Sequence, residues 1–500
     1  MDRPSTLVIV GGGTAGWMAA NIVLHALPHL NVSLIESSHI GTIGVGEGST
    51  PFLKQFFRRL NIADHEWMPQ CHASYKAGIR FPGWRGAQAR EKGEPDSYFH
   101  PFFSVLDTPS ANAFFAQVAQ RQQGQHGDTH PDHYFLANEI AMQQRAPLYH
   151  GPEREDMDYG YHFDAGLLAD FLKQRALQQG LTHITDTVLG CECNAEGDIA
   201  ALTLQTRGRY AADFYIDCSG FRALLIEQGL KIPFIEFGEN LFNDAAVAIG
   251  SLRPTDAPIQ AETVSQAMSA GWAWAIPLQH RIGNGYVYSR AHLSAEQAER
   301  ELREQLGPQA ETLPARHLNM RIGRRTRHWH RNCLAVGLSQ GFIEPLEATA
   351  LMLVQLTLVQ FVTELSQHGN APDAQDRCNQ EVNRMFDGVR DYIVAHYKLN
   401  GRSDSDYWID AREHAPVSDT LGALMEAWDS GQFEDALQRY SPSLAYLRPS
   451  WYVLFSGMGR FSEHAGALRT PTRHPERTQF VQQHYPDHLS ALRQMTAQSP

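Results

Sequence analysis

The sequence predicts an α/β protein in which a doubly wound module with a mixed sheet and a mainly helical C-terminal part form one integrated unit. Three observations carry this expectation. Residues 7–10 (LVIV) run straight into Gly11-x-Gly13-x-x-Gly16, and a helical pattern, WMAANIVLHAL, follows. A second apolar run, VSLIE, ends in Glu36, twenty residues beyond Gly16. From residue 351 onward the apolar residues recur at helical spacing, with many aromatics among them.

The first two observations together form the Rossmann-like dinucleotide fingerprint of strand, glycine turn, helix, second strand and acid. Gly11 permits the tight turn, Gly13 lets backbone approach a pyrophosphate, and Gly16 lets helix and strand pack closely. Thr14 and Ala15 open the helix, whose free N–H groups suit a phosphate. Glu36 is placed to accept hydrogen bonds from a ribose diol. The fingerprint alone does not separate FAD from NAD.

Composition narrows the function classes. The 500 residues are 43% hydrophobic and 19% charged, which fits a globular chain with a large core. The net charge of −13 argues against non-specific binding to nucleic acid or to an anionic membrane. The N-terminal apolar run is too short for a signal peptide, and TALMLVQLTLVQFV falls short of a membrane span. A cytoplasmic protein is expected. The six cysteines are scattered without a CxxC pair, and neither Cys191-x-Cys193 nor His328-x-His330 has partners that would complete a metal site. No metal is predicted.

Along the chain, four glycines between residues 41 and 48 make a loop able to lie against a flat ligand, and it follows the Glu36 strand directly. It is expected to strap the cofactor, with a helix over PFLKQFFRRLNI behind it. Lys76 lies among Tyr75, Ile79, Phe81 and Trp84; it either snorkels to solvent or is the desolvated lysine that a reactive amine requires. Residues 86–155 are less periodic and read as an insertion into a nucleotide-binding module spanning 1–350. A helix capped by Asp164 and closed by Gly180 follows, then strands over HITDTVLGCEC, IAALTLQT and GRYAADFYIDCSG. The last of these puts Asp217 to Gly220 at a strand's carboxyl end, a second candidate for cofactor contact. In GWAWAIP, Trp272 and Trp274 project to one side of an extended segment that Pro277 keeps from being helical. Residues 332–336 read as a strand, 337–341 as a turn and 348 onward as an apolar helix, with Glu344 and Glu347 just before it. Residues 351–500 are expected to be mainly helical and to supply an aromatic-lined pocket for substrate.

Read together, GGGTAG (11–16), GVGEGSTP (44–51), ASYKAGI around Lys76, WAWAIP (272–277), GLSQGFIEPLEAT (337–349), HYKLNGRSDSDYW (396–408) and WYVLFSGMG (451–459) resemble the flavin-dependent tryptophan halogenase family, in that family's order and over nearly the whole chain. The resemblance implies an FAD-binding module. Its FAD contacts would come from Gly11, Gly13, Thr14, Ala15, Gly16 and Glu36, from Gly44, Val45, Gly46 and Glu47, and from Gly337 and Leu338. It implies FADH2 supplied by a separate flavin reductase, with chloride or bromide as co-substrate. Hypohalous acid formed at the flavin would pass through a tunnel to a small, indole-like aromatic substrate. Lys76 and Glu347 match the family's catalytic lysine and glutamate: the lysine hydrogen-bonds the hypohalous acid or forms a haloamine, and the glutamate helps remove the ring proton. Trp272, Trp274, Ile276 and Pro277 would wall the flavin side, with Phe342 and Pro345 beside the halide.

The chain departs from the family at two points. The family's FxxPxxSxG pattern has Ala348 and Ala350 in place of its Ser and Gly. The halide would rest on the backbone N–H groups of Thr349 and Ala350, where an added methyl narrows the pocket and restricts the backbone, so chloride versus bromide stays open. Around RYSPSLAYLRPSWY, Tyr440 and Tyr446 are candidates for a substrate clamp. No acid but Glu434 is near to hold an amino group, which suggests a substrate other than free tryptophan. Two other readings remain, an aromatic flavin monooxygenase and a flavin-binding protein with a degenerate halide site; halide dependence separates them from the first. A monomer or homodimer is expected.

Overall fold

The computed structural model describes residues 4–39, 46–151, 157–461 and 475–498. Gly44 and Val45, expected in the strap, lie outside the described residues.

The fingerprint strand Thr6–Val10 is the centre of a six-stranded sheet. It is flanked in parallel by Asn31–Glu36 and Phe214–Asp217, then by Thr182–Thr185 and Cys333–Ala335, with Trp329–His330 antiparallel at one edge. Because both faces are covered, the strand is apolar throughout. Leu7 and Ile9 join the main core with the helices Thr14–Ala26 and Ala350–His368. Val8 and Val10 join a smaller core on the other face, with Leu224, Leu225 and Ile226.

Two of the expected strands are each broken in two. HITDTVLGCEC divides into Thr182–Thr185, in the large sheet, and Val188–Cys193, in a small antiparallel one. Asp186 makes the break: its carboxylate accepts from Thr187 N–H, Thr206 N–H and Arg207 N–H, tying the chain into a bend. GRYAADFYIDCSG likewise divides into Gly208–Tyr210 and Phe214–Asp217. The helix Ala165–Gln178 begins at Asp164 as expected, with Asp164 Oδ1 accepting from Gly166 N–H at 3.0 Å and Leu167 N–H at 3.2 Å.

A second, seven-stranded mixed sheet contains Gly271–Pro277 between Arg281–Tyr288 and Glu262–Met268, and continues through Gly78–Pro82 to Ser97–Pro101. Behind these sheets the C-terminal part is helical. Pro372–Lys398 packs on Ala350–His368, which in turn packs on the fingerprint helix. Ala350–His368 is long and apolar enough to cross a membrane, yet 61% of its apolar window is buried inside the protein, as in a core helix.

Candidate active site

A cavity of about 480 Å³ opens where the two sheets meet. The turn after the first strand forms one wall. Gly11 has φ +113°, and a Cβ there would stand 2.2 Å from Cys218 O; at Gly16 it would stand 2.0 Å from Gly11 O. Gly13 is the reverse case: a Cβ would meet nothing within 4 Å, so its surface faces the cavity. The helix that follows has Gly13 as its N-cap and no side chain capping it, which leaves its first N–H groups for an anion. Glu36 lines the same wall, anchored by Lys173 Nζ at 2.6 Å and His183 Nε2 at 2.8 Å on its Oε1. These features fit a dinucleotide with its pyrophosphate on the turn and a ribose towards Glu36.

The second candidate contact is corrected in part. Cys218, Ser219 and Gly220 line the cavity, but Asp217 does not. Its carboxylate is turned inward to cap the backbone, accepting from Leu225 N–H at 2.8 Å, Ile226 N–H at 2.9 Å and Ser219 N–H at 3.0 Å. Glu47 reaches the cavity from the strap side, and burial, then Asp164, raises its carboxyl to about 7.

Trp272, Trp274 and Ile276 line the opposite wall with Phe342 and Pro345. The two indole rings lie 6.2 Å apart on one side of their strand. Trp272 is fixed by Glu344, a fully buried carboxylate: Oε2 accepts from Trp272 Nε1–H at 2.8 Å, Tyr397 O–H at 2.6 Å and Asn243 Nδ2–H at 2.8 Å. Three donors on one oxygen pin the indole to the turn that also carries Glu347. Pro277 ends the strand outside the cavity lining.

Lys76 reaches the cavity from the strand Ser74–Lys76. It is 0% exposed, and its ammonium nitrogen has no hydrogen-bond partner among the described residues. The Phe102 ring centroid lies 5.3 Å from Nζ. Gly48 makes the room: a Cβ there would stand 3.2 Å from Nζ. Burial lowers this amine from its ordinary 10.5 to about 7, against an opposing pull from the Glu347 charge. The snorkelling alternative is therefore excluded.

Glu347 sits in the single 3₁₀ turn Pro345–Glu347, buried and outside the large cavity's lining. Burial works to raise its pKa, but His100, His396 and Lys76 together hold it below the usual carboxylate value. Its Oε1 is 3.1 Å from His396 Nε2. Its field also reaches the hydroxyls of Tyr98, Tyr392 and Tyr446. Several polar atoms here are buried without a hydrogen-bond partner among the described residues: Lys76 Nζ, His100 Nδ1, Glu347 Oε1, His396 Nε2, Tyr98 OH, Tyr446 OH and Trp451 Nε1. An unpaired buried polar atom costs about 1–3 kcal/mol, and such a cluster marks a place built to bind rather than to hold the fold. Tyr446 stacks on Tyr392 at 3.7 Å within this cluster. Glu434 is 51% exposed and engaged with Arg448 and Tyr452 at the surface.

The turn from Glu347 into the long helix carries Ala348 at φ +56°, ψ +37°, a left-handed conformation. Thr349 is the helix N-cap, its hydroxyl buried and unpartnered, and Ala350 is the first helical residue. The backbone restriction expected at both alanines therefore falls on Ala348 alone. Ala348→Gly is expected to stabilise the protein by about 1 kcal/mol by relieving that strain, whereas Ala350→Gly, at the first helical position, is expected to destabilise it by less than the roughly 0.5–1 kcal/mol of a mid-helix glycine. Urea unfolding of the two variants checks the opposite signs.

The cavity thus gathers Gly11, Gly13, Thr14, Ala15, Glu36, Gly46, Glu47, Lys76, Gly337, Leu338 and Ala350 with the Trp272–Phe342 wall. Gly16 and Thr349 stand behind its surface. Sequence reasoning assigned no role to His100, His396 or Tyr98, and gave Glu344 none beyond its place before the helix. His396 stood in the quoted HYKLNGRSDSDYW stretch, but nothing in spacing tied it to Glu347, 49 residues away.

The tryptophan halogenase family profile matches residues 6–471 of the chain. The 7-chloro-L-tryptophan 6-halogenase KtzR of Kutzneria sp. (strain 744) is 36% identical over 483 residues, covering 93% of this chain and 91% of the relative. Among solved structures, the tryptophan 6-halogenase SttH from Streptomyces toxytricini superposes with a TM-score of 0.84 at 31% identity, covering 98% of this chain and 100% of that one. Xcc4156, a flavin-dependent halogenase from Xanthomonas campestris, gives 0.83 at 31% identity, covering 99% of each. With the fold, a glycine-walled cavity and a buried Lys76 coupled to Glu347 already in place, these matches show that the chain belongs to the tryptophan halogenase family of flavin-dependent enzymes.

Proposed function

We propose that this enzyme halogenates an indole-like ring electrophilically, with Lys76 carrying the halogen and Glu347 receiving the ring proton. The observation that carries the proposal is Lys76: a fully buried, unpartnered amine at the edge of the dinucleotide cavity, lowered to about 7. Reduced FAD, taken up from a separate flavin reductase, supplies hypohalous acid from O2 and chloride or bromide when bound. The Gly11–Gly16 turn, Glu36 and the Gly46–Glu47 strap hold the dinucleotide, with Gly337 and Leu338 beside it. The backbone N–H groups of Thr349 and Ala350, at the positive end of a 19-residue helix, hold the halide. Trp272, Trp274, Ile276, Phe342 and Pro345 wall this chamber, with Pro277 ending their strand outside it, so that the oxidant leaves towards Lys76.

At neutral pH a large share of Lys76 is uncharged, and a free amine is a nucleophile. Its nitrogen bonds to the halogen as the O–X bond breaks, and the oxygen departs as water with the proton of the amine. Transfer of the halogen to a ring carbon returns the N–X electron pair to Lys76, which recovers a proton from that water, and leaves a cationic ring, which Glu347 faces as an anion; the ring proton passes through Glu347 to the hydroxide and restores the water. Domain roles follow: residues 1–350 bind the flavin, with an insertion at about 86–155, and 351–500 complete the substrate side. Indole, a substituted indole or tryptophan within a larger molecule is the proposed substrate rather than free tryptophan, because Glu434, the acid nearest the candidate clamp, is engaged at the surface. The protein acts in the cytoplasm, as a monomer or homodimer.

The test is product analysis with indole, reduced FAD, O2 and either bromide or chloride. Mono-halogenated indole that requires halide is the expected result; an oxygenated product formed without halide points instead to the monooxygenase. The halogenation rate is expected to rise with pH through about 7 as Lys76 loses its proton, while flavin oxidation stays flat. A rate that falls through the same region assigns Lys76 as an ammonium hydrogen-bonding the hypohalous acid.

A further inference from the structure

We infer that Glu344 is a positioning residue: by fixing the Trp272 indole, it keeps the oxidant on the path from the flavin side to Lys76. This rests on the proposed reading of the site, in which Trp272 walls the oxidant's chamber, and deepens it. Pro345 holds Glu344 in extended backbone, with φ −50° and ψ 143°, at the entry to the turn that carries Glu347. The Glu344 side chain is 0% exposed. Its Oε2 accepts from Trp272 Nε1–H at 2.8 Å, Tyr397 O–H at 2.6 Å and Asn243 Nδ2–H at 2.8 Å. Burial raises the carboxyl, and the same three donors oppose that rise.

The donors are themselves held. Tyr397 and Tyr407, both in the HYKLNGRSDSDYW stretch, come from the helices Pro372–Lys398 and Asp406–Glu413. Tyr407 O–H donates to Asn243 Oδ1 at 2.9 Å. That contact turns the Asn243 amide so that Nδ2 faces the Tyr397 oxygen at 2.8 Å as well as Glu344. Asn243, Tyr397 and Tyr407 are all buried. Two helices therefore converge on one carboxylate oxygen, and the cavity-lining group held there is the Trp272 ring.

Trp272 needs this hold and Trp274 does not. Trp274 lies opposite Gly285 on the neighbouring strand, where a Cβ would stand 2.1 Å from its ring, so packing seats it. Its Nε1 has no hydrogen-bond partner among the described residues. Trp272 lies opposite Val287 and borders a cavity of about 480 Å³, which has room for an unheld ring to turn into. A buried indole N–H that loses its acceptor is penalised where it stands, and turning towards the cavity relieves the penalty. The turned ring takes volume from the oxidant's passage to Lys76, and oxidant that does not pass escapes to solvent.

The experiment supplies reduced FAD, O2, bromide, indole and a soluble oxidant trap together to the full chain as wild type, Glu344→Gln and Glu344→Met. The readout is the ratio of trapped hypobromous acid to bromoindole. Glutamine keeps an oxygen for the three donors, whereas methionine keeps the bulk and removes it. The expected result is a rise of about tenfold in the ratio for Glu344→Met, with Glu344→Gln at the wild-type ratio. A purely structural role lowers both products together and leaves their ratio where it was. An unchanged ratio in Glu344→Met, or an equal rise in both variants, overturns the inference. A wild type that forms no bromoindole overturns the reading of the site, and the inference with it. Should Glu344→Met not accumulate, replacing Trp272 by 3-benzothienylalanine answers the same question. That side chain keeps the two-ring shape and lacks the N–H. The same rise in the ratio is expected, and an unchanged ratio overturns the assignment.

Discussion

Replacing Lys76 by methionine is expected to stabilise the protein at pH 6 by several kcal/mol, with the difference shrinking as pH rises. The native amine titrates near 7 and an unfolded one near 10.5. Between these values the unfolded chain holds a proton that the native protein has released, so native stability rises with pH across that window. Below about 7 both forms are charged, and the native state bears the full burden of a buried ammonium. The interval corresponds to ~5 kcal/mol, an upper figure because Glu347 loses the Lys76 charge in the variant. Methionine matches the length of the buried stem and adds no polar atom. Urea unfolding at pH 6 and pH 9 checks both the sign and the trend. A methionine variant less stable than the wild type at pH 6 would show that Lys76 holds the fold rather than strains it.

Glu347→Gln is expected to lower ring halogenation by about 100-fold or more while leaving flavin oxidation near the wild-type rate. The amide is nearly the same size but neither accepts the ring proton nor stabilises the ring cation. Removing the carboxylate also removes what opposes the burial of Lys76, so the Lys76 amine titrates lower still. Stopped-flow flavin oxidation beside product counting separates the two rates. A variant that halogenates as fast as the wild type would remove Glu347 from the reaction.

Much of the fold and of the cofactor side is legible in the amino-acid sequence. Gly11, Gly13 and Gly16 read clearly because their roles are steric: at Gly11 and Gly16 no side chain fits, with Cys218 O and Gly11 O only 2.2 Å and 2.0 Å from where a Cβ would stand. The parallel sheet is legible for the same kind of reason, since a strand buried on both faces is an unbroken apolar run. Lys76 is readable only as an alternative, because aromatic neighbours suit a snorkelling lysine as well as a buried one. Asp217 misleads: strand position puts it at the cofactor, but three backbone N–H groups turn its carboxylate inward. The break between Thr185 and Val188 depends on Asp186, whose bend joins residues 20 positions apart. The carboxylate–imidazole contact of Glu347 and His396, and the pinning of Trp272 by Glu344, are tertiary. No periodicity records which helix face meets which turn.

The central claim is that oxidant formation and ring halogenation occupy two places in this protein, and that Lys76 joins them. The most direct test runs Lys76→Met with reduced FAD, O2, bromide and indole, counting flavin oxidation, hypobromous acid captured by a soluble trap, and bromoindole. The expected result is flavin oxidation and trapped oxidant at wild-type levels, with bromoindole reduced by at least about 100-fold. Regioselective bromoindole at the wild-type rate, or loss of trapped oxidant together with product, would contradict the account.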